Sequence, residues 1–261
     1  MGSKPKKIKE NRVIFDTSFQ VERLKHGKDF VARNIGPKEE KRSLFFVLYE
    51  FKTGFLRSAF DYYCLVSVLA SPADALAKWS DRFAPRELKN IMLIESVIKR
   101  ISEKVFDNDK KTHLRKLEAA INFTISTFDT DLELMGDFSG DEIVRFEVFG
   151  ESSYQAFIEL HNSRKALPQK AFWERNRIHL DKFIESKKLF SDQKYEKMFD
   201  KLNSVKIDIN KLDNINVNRG IGDAIISVDS PKGGTIVTTD KIYDLLCGIL
   251  DKNKVRLIAK T

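Results

Sequence analysis

The sequence predicts an α/β chain in which a central parallel sheet is built from both ends and a mostly helical insertion fills the middle. Short apolar, partly β-branched runs, residues 12–15, 235–238 and 255–259, lie only near the two ends. The tail alternates such runs with helical spacing, which is the pattern of helices packed on parallel strands. The roughly 140 residues between keep apolar residues at helical intervals.

Taken in order, Arg12-Val13-Ile14-Phe15, closed by Asp16-Thr17-Ser18, has the length of a buried strand ending in a polar turn. Leu44, Leu48, Phe51, Phe55, Tyr62 and Val66 recur every three or four residues, and this spacing predicts a helix capped by Ser43 and ending before Pro72. The residues between strand and helix are expected as a charged connection. Ile91, Ile94, Ile98 and Ile101, then Leu114, Leu117, Ile121 and Ile125, predict further helices, with turns over 136–141 and a solvated helical hairpin over 172–202. Gly220-Ile221-Gly222 opens a short helix reaching Val228, Pro231-Lys232-Gly233-Gly234 turns, and Thr235-Ile236-Val237-Thr238 is a buried strand. Asp240 starts a helix burying Ile242, Leu245, Leu246 and Ile249, and a last strand follows over 255–259. The expected division is a basic tail or tag over 1–10, a core from 11–60 and 215–261, and a helical insertion over 61–214.

With 261 residues, 42% of them hydrophobic and 32% charged, the chain can bury one large core or two small ones, which excludes wholesale disorder. No apolar run approaches the roughly twenty residues of a membrane helix. The Lys-rich start is not followed by the apolar stretch of a signal peptide, so a cytoplasmic protein is expected. Met1-Gly2-Ser3 lacks the Ser or Thr at position six that lipid attachment wants, having Lys6 there, and reads as an expression scar. Cys64 and Cys247 stand alone in apolar surroundings and read as buried free thiols. The net charge of +8 is uneven: residues 1–60 hold 14 Lys and Arg against 7 Asp and Glu, whereas residues 61–204 are nearly balanced. A polyanion would meet the ends.

Two strand ends carry carboxylates, Asp16 and Asp240, and parallel strands put both on one edge of the sheet. Asp223 lies in the first turn of the helix preceding the second of these strands. Glu50 lies about 120° off the Leu44/Leu48/Phe55 stripe, beside Gly54, so both can reach that edge. Each acid also has a plain structural use: an Asx turn at Asp16, a helix cap at Asp240, a favourable helix start at Asp223 and a surface position at Glu50.

The set Val13-Ile14-Phe15-Asp16-Thr17-Ser18, Leu48-Tyr49-Glu50-Phe51, Gly222-Asp223-Ala224-Ile225-Ile226-Ser227 and Ile236-Val237-Thr238-Thr239-Asp240-Lys241-Ile242-Tyr243 resembles the PIN-domain (VapC-like) nucleases. In that family a first strand ends in Asp, a helix carries Glu, a later helix begins with Asp, and a strand ends Thr-x-Asp with an aromatic shortly after. The resemblance covers residues 11–60 and 215–261; the 173 residues from Glu50 to Asp223 exceed what small members use. It implies a three-layer core, with Asp16, Glu50, Asp223 and Asp240 as metal-binding and catalytic acids and Thr17, Ser18 and Thr238 as supporting hydroxyls. Four crowded carboxylates call for a hard dication, Mg²⁺ or Mn²⁺, and the implied reaction is phosphodiester hydrolysis, with RNA favoured over DNA and a 3′-hydroxyl and 5′-phosphate as products. Lys25, Lys28, Arg33, Lys38, Lys41 and Arg42 fill the connection between Asp16 and Glu50 and are expected to rim the acids and hold phosphates. The neutral middle is expected to self-associate or bind a protein partner. Two alternatives stand beside this: a toxin-type ribonuclease restrained by a small partner, and a non-catalytic relative that binds nucleic acid or acts as a scaffold.

Other signals fall away. Asp129-Thr130-Asp131-Leu132-Glu133 lacks the Gly and terminal Glu of a calcium loop. Arg175 and His179 stand too close for the Arg and His pair of HEPN ribonucleases, and no Gly-rich loop with a Lys-Ser or Lys-Thr ending offers an ATP site.

Overall fold

The computed structural model describes residues 12–82, 85–102, 109–130, 133–136, 167–187, 193–214, 217 and 220–259. The expected N-terminal tail, and residues 137–141 of the expected turn, lie outside them. Five strands form one sheet of order β3-β2-β1-β4-β5, every neighbouring pair parallel: β1 (Arg12–Phe15), β2 (Glu40–Leu44), β3 (Glu133–Met135), β4 (Thr235–Thr238) and β5 (Lys254–Leu257). The central strands are apolar because both faces are covered. Val13, Phe15 and Val237 pack with Phe19, Phe30, Val31 and Ile35, the first three of these from helix α1 (Thr17–Asn34), on one face. Ile14 and Ile236 turn the other way, into the large core formed by the remaining helices.

That second layer holds α2 (Phe45–Phe51) and α3 (Arg57–Val68), joined by a π-helical turn over Lys52–Leu56. It continues through α4 (Pro72–Arg82), α5 (Pro85–Ile101) and α6 (Lys110–Thr130), then α7 (Leu167–Arg175), α8 (Arg177–Ser186) and α9 (Gln193–Ile207). Helices α10 (Gly222–Asp229) and α11 (Ile242–Leu250) flank β4. Chain crossovers carrying helices are what parallel neighbours require.

Four expectations need correction. The connection after Asp16 is not an extended charged loop but the 18-residue helix α1. Ser43 does not cap a helix; it is a residue of β2, paired with Phe15, and its Oγ donates to the Phe15 carbonyl at 3.2 Å. The helical insertion also supplies β3, which pairs with β2 from Arg42 to Leu44, so this stretch is threaded into the sheet rather than appended to it. The expected hairpin over 172–202 is one-sided rather than solvated, with Phe172, Trp173, Leu180, Phe183, Phe199 and Leu202 in the main core.

Helix α1 is broken at Gly27, whose φ of 75° and ψ of −159° no helix accommodates. An unbroken helix would bond the carbonyls of Arg23 and Leu24 to the amides of Gly27 and Lys28. Arg100 of α5 supplies the donor instead: its Nη1 reaches Leu24 O at 2.6 Å and Arg23 O at 3.3 Å, with the guanidinium 4.5 Å from the Phe123 ring centre. Arg100→Met is expected to cost roughly 2–3 kcal/mol, since it strands two carbonyls and removes charged donors. An unshifted urea midpoint in that variant would show that the break at Gly27 is held by other means. At the opposite edge, Arg256 of β5 grips Glu39 with both nitrogens, at 2.6 and 2.9 Å, and donates to Asn34 O at 3.1 Å, tying the last strand to the end of α1. The guanidinium holds the Glu39 carboxyl below its ordinary range.

A candidate metal centre at the carboxyl edge of the sheet

Strand β1 leads by α1 to β2 on one side, whereas its other neighbour, β4, continues to β5 on the far side. The crevice between β1 and β4 is thus where the winding reverses, the place at which open parallel sheets bind ligands beyond their carboxyl ends. Asp16 and the Thr238-Thr239-Asp240 segment lie there.

Asp16 is only 2% exposed. It caps α1, its Oδ1 accepting from Phe19 N at 2.8 Å, and its Oδ2 accepts from Thr238 Oγ1 at 2.7 Å and from Ser18 Oγ at 2.8 Å. Ser18 Oγ in turn accepts from Thr239 N, and Thr238 Oγ1 from Asp240 N, both at 2.9 Å. These hydroxyls stitch the two strand ends together and fix the carboxylate between them. Burial still pushes the Asp16 carboxyl up to about 7; the Phe19, Thr238 and Ser18 hydrogen bonds draw it down, and the charge of Asp223 adds to the rise.

Glu50 comes from α2 and accepts from Thr17 Oγ1 at 2.5 Å through Oε2. Its other oxygen occupies the space a side chain at position 222 would take: a Cβ on Gly222 would run into Glu50 Oε1 and stand 3.2 Å from Phe46 Cε1. The glycine therefore lets Glu50 lie against the start of α10, one residue before Asp223. Asp223 Oδ1 accepts from the phenol of Tyr243 at 3.0 Å. That phenol is fully buried and held well above its ordinary range, first by burial and then by the charges of Asp223, Asp16 and Glu50. One hydroxyl thus feels three of the four sequence-predicted acids. The fourth, Asp240, accepts from Ile242 N at 3.2 Å, and its own amide is bound to the Thr238 hydroxyl that also serves Asp16.

Tyr243 and Gly222 were visible in the sequence only as an aromatic after the last acid and a turn residue before the third. Their parts as donor to Asp223 and as clearance for Glu50 depend on packing between segments far apart in the chain.

The donors offered are carboxylate and hydroxyl oxygens, the set that suits a hard dication such as Mg²⁺ or Mn²⁺ rather than a thiophilic metal. A cation would also reverse the mutual repulsion that helps raise Asp16. In the placement described, no three His, Cys, Asp or Glu side chains among the described residues are gathered closely enough to hold one ion, each acid being engaged by a protein hydroxyl or amide. The residues fit the ion in donor chemistry and in charge.

The expected cationic rim is not assembled from the N-terminal basic residues. Lys25 lies midway along α1, with Lys28 and Arg33 beyond its break at Gly27, on a helix that leads away from Asp16, and Lys25 Nζ is bound to Glu22 at 2.9 Å. Lys38 precedes β2 at the opposite edge of the sheet. Lys41 pairs across from Val13 inside the ladder, and Arg42 is paired with Glu40 and Glu133. Reading the connection as a loop put these charges at the wrong edge. No protein-family model, curated protein or solved structure matches the chain.

Proposed function

We propose that the chain is a Mg²⁺- or Mn²⁺-dependent nuclease of the PIN type that hydrolyses phosphodiester bonds, with RNA favoured. The observation carrying this reading is the Thr238 hydroxyl that joins Asp16 to the Asp240 amide at the sheet's switch point, with Glu50 laid against Gly222 and Asp223 held by the Tyr243 phenol. Asp16, Glu50, Asp223 and Asp240 would hold the ion, their side chains closing on it from the wider spacing seen here. When bound, it would supply an activated water and charge neutralisation on the phosphoryl oxygens. The chain's own contribution is positioning: Ser18 and Thr238 fix the Asp16 carboxylate, Thr17 orients Glu50, and Tyr243 orients Asp223.

A partner surface on the helical segments belongs to the same reading. Ile178 and Ile207 are 66% and 78% exposed, which supports self-association or a protein partner there, and Ile207 lines a cleft of about 260 Å³ whose other walls include Trp173 and Leu180 and the charged Glu174, Arg177, Lys206 and Asp208. Among the described residues, no helix is long and apolar enough to cross a membrane.

The non-catalytic alternative draws on a specific observation as well: Asp16 caps α1 and Asp240 accepts the Ile242 amide two residues on, just before α11, uses that need no ion. The two readings part in one experiment. Labelled single-stranded RNA and DNA, incubated with Mg²⁺, with Mn²⁺ and with chelator, are expected to be cut only with metal, RNA faster. Binding without cleavage under every metal condition would leave the scaffold reading in place.

A further inference from the structure

The acids of this site repel phosphate, and Lys25, Lys28, Arg33, Lys38, Lys41 and Arg42 are not gathered around them, which turns attention to cations carried by other elements. The turn Gly220-Ile221-Gly222 shows which. Its second glycine gives way to Glu50, and its first gives way to a lysine: a Cβ on Gly220 would collide with the Nζ, Cδ and Cε of Lys201, with no other residue among its three nearest atoms. Lys201 belongs to α9, so its half-buried stem is carried by the helical middle of the chain and laid along the turn that opens α10. The ammonium thereby stands at a residue two positions before Gly222 and three before Asp223.

We propose that Lys201 is the phosphate-holding cation of this site, and that single-stranded nucleic acid approaches the acids across the α9 and Gly220 side of the crevice. The inference rests on the nuclease reading for its substrate class and on the glycine turn for its geometry. An ammonium is a compact point charge with rotatable donors, suited to holding a phosphate oxygen without reading a base. The paired glycines follow from the same need: in one turn the backbone admits a carboxylate for the ion and an ammonium for the phosphate, and a side chain at either position would displace one of them.

The test uses the full chain, a fluorescein-labelled single-stranded RNA 12-mer and anisotropy titrations at several salt concentrations, in chelator and in Mg²⁺, with cleavage followed separately. Lys201→Gln is expected to weaken binding roughly fivefold to tenfold across all sequences and to flatten the slope of log K against log salt by about 0.7, the value for one lost contact on a single strand. Gly220→Ala should reproduce that loss with every charge retained, because its methyl pushes aside the flexible end of Lys201 while the backbone there needs no glycine φ. Unchanged affinity and slope in both variants overturns the inference, as does a larger loss in Lys41→Gln than in Lys201→Gln. Cleavage by the wild type together with a silent Lys201 sinks this proposal alone. Lys201-dependent binding with no cleavage under any metal sinks the nuclease reading and leaves the phosphate site standing.

Discussion

Asp240→Asn and Asp223→Asn are each expected to remove the proposed divalent-dependent cleavage, by a factor on the order of a thousand or more, while the protein stays folded. An amide keeps the hydrogen-bonding shape of the acid but brings no charge, and the charge is what an ion in this site answers, at several kcal/mol of transition-state stabilisation. The fold survives because the protein contacts of both acids can be kept: the amide oxygen introduced at position 240 would still accept from Ile242 N, and the one at position 223 from the Tyr243 phenol. Asp16→Asn belongs to the same series, and Asn is as good a helix cap as Asp. The measurement is cleavage rate beside a circular dichroism melt. Full activity in Asp240→Asn, with a normal melt, removes that residue from the site.

The metal-free protein is expected to lose stability as pH rises from about 4 to about 7, by up to about 4 kcal/mol, through Asp16. The sign follows from proton counting. The folded carboxyl holds its proton up to about 7, whereas in the unfolded chain it ionises near 3.8, so in that window the folded state binds more protons and each step upward in pH favours unfolding. The stabilisation is complete below the unfolded value and gone above the folded one. Urea titrations at pH 5, 6, 7 and 8 in chelator should show this fall in the wild type, and Asp16→Asn should flatten it. Added Mg²⁺ should stabilise the wild type more at pH 8 than at pH 5, because cation and proton compete for the same carboxylates. Parallel pH profiles for wild type and Asp16→Asn would show that the side chain is not buried as described.

The sheet's central strands were legible because they obey simple rules: residues 12–15 and 235–238 are short apolar runs closed by polar turns, and both became strands with those bounds. The two helices beside β4 were legible from Gly222 and from the spacing of Ile242, Leu245, Leu246 and Ile249. Strand β2 was not, because Glu40, Lys41 and Arg42 are polar and only Ser43 and Leu44 are buried, so no apolar run announces it. Helix α1 hid for a different reason. It buries Gln20, Glu22 and Arg23 and is broken at Gly27, which erases the apolar stripe that periodicity looks for. The four acids could be found from their order along the chain, but the company they keep could not. That Thr17 serves Glu50, that Tyr243 serves Asp223 and that Lys201 lies along Gly220 are facts of packing between residues about twenty or more positions apart.

The bond between Thr238 and Asp16 spans 222 residues of sequence, and this has a consequence for how the protein is made. At ribosomal speeds of about 5–20 residues per second, the 173 positions from Glu50 to Asp223 take roughly 10–30 s to emerge. Through that interval Asp16 and Glu50 are already made while their partners are not, and β1 waits for the neighbour that places its terminal acid. A chain interrupted before α10 carries half the carboxylates and no crevice. On the nuclease reading, hydrolytic capacity is thereby tied to synthesis past β4, and a chain stalled before that point would lack the crevice.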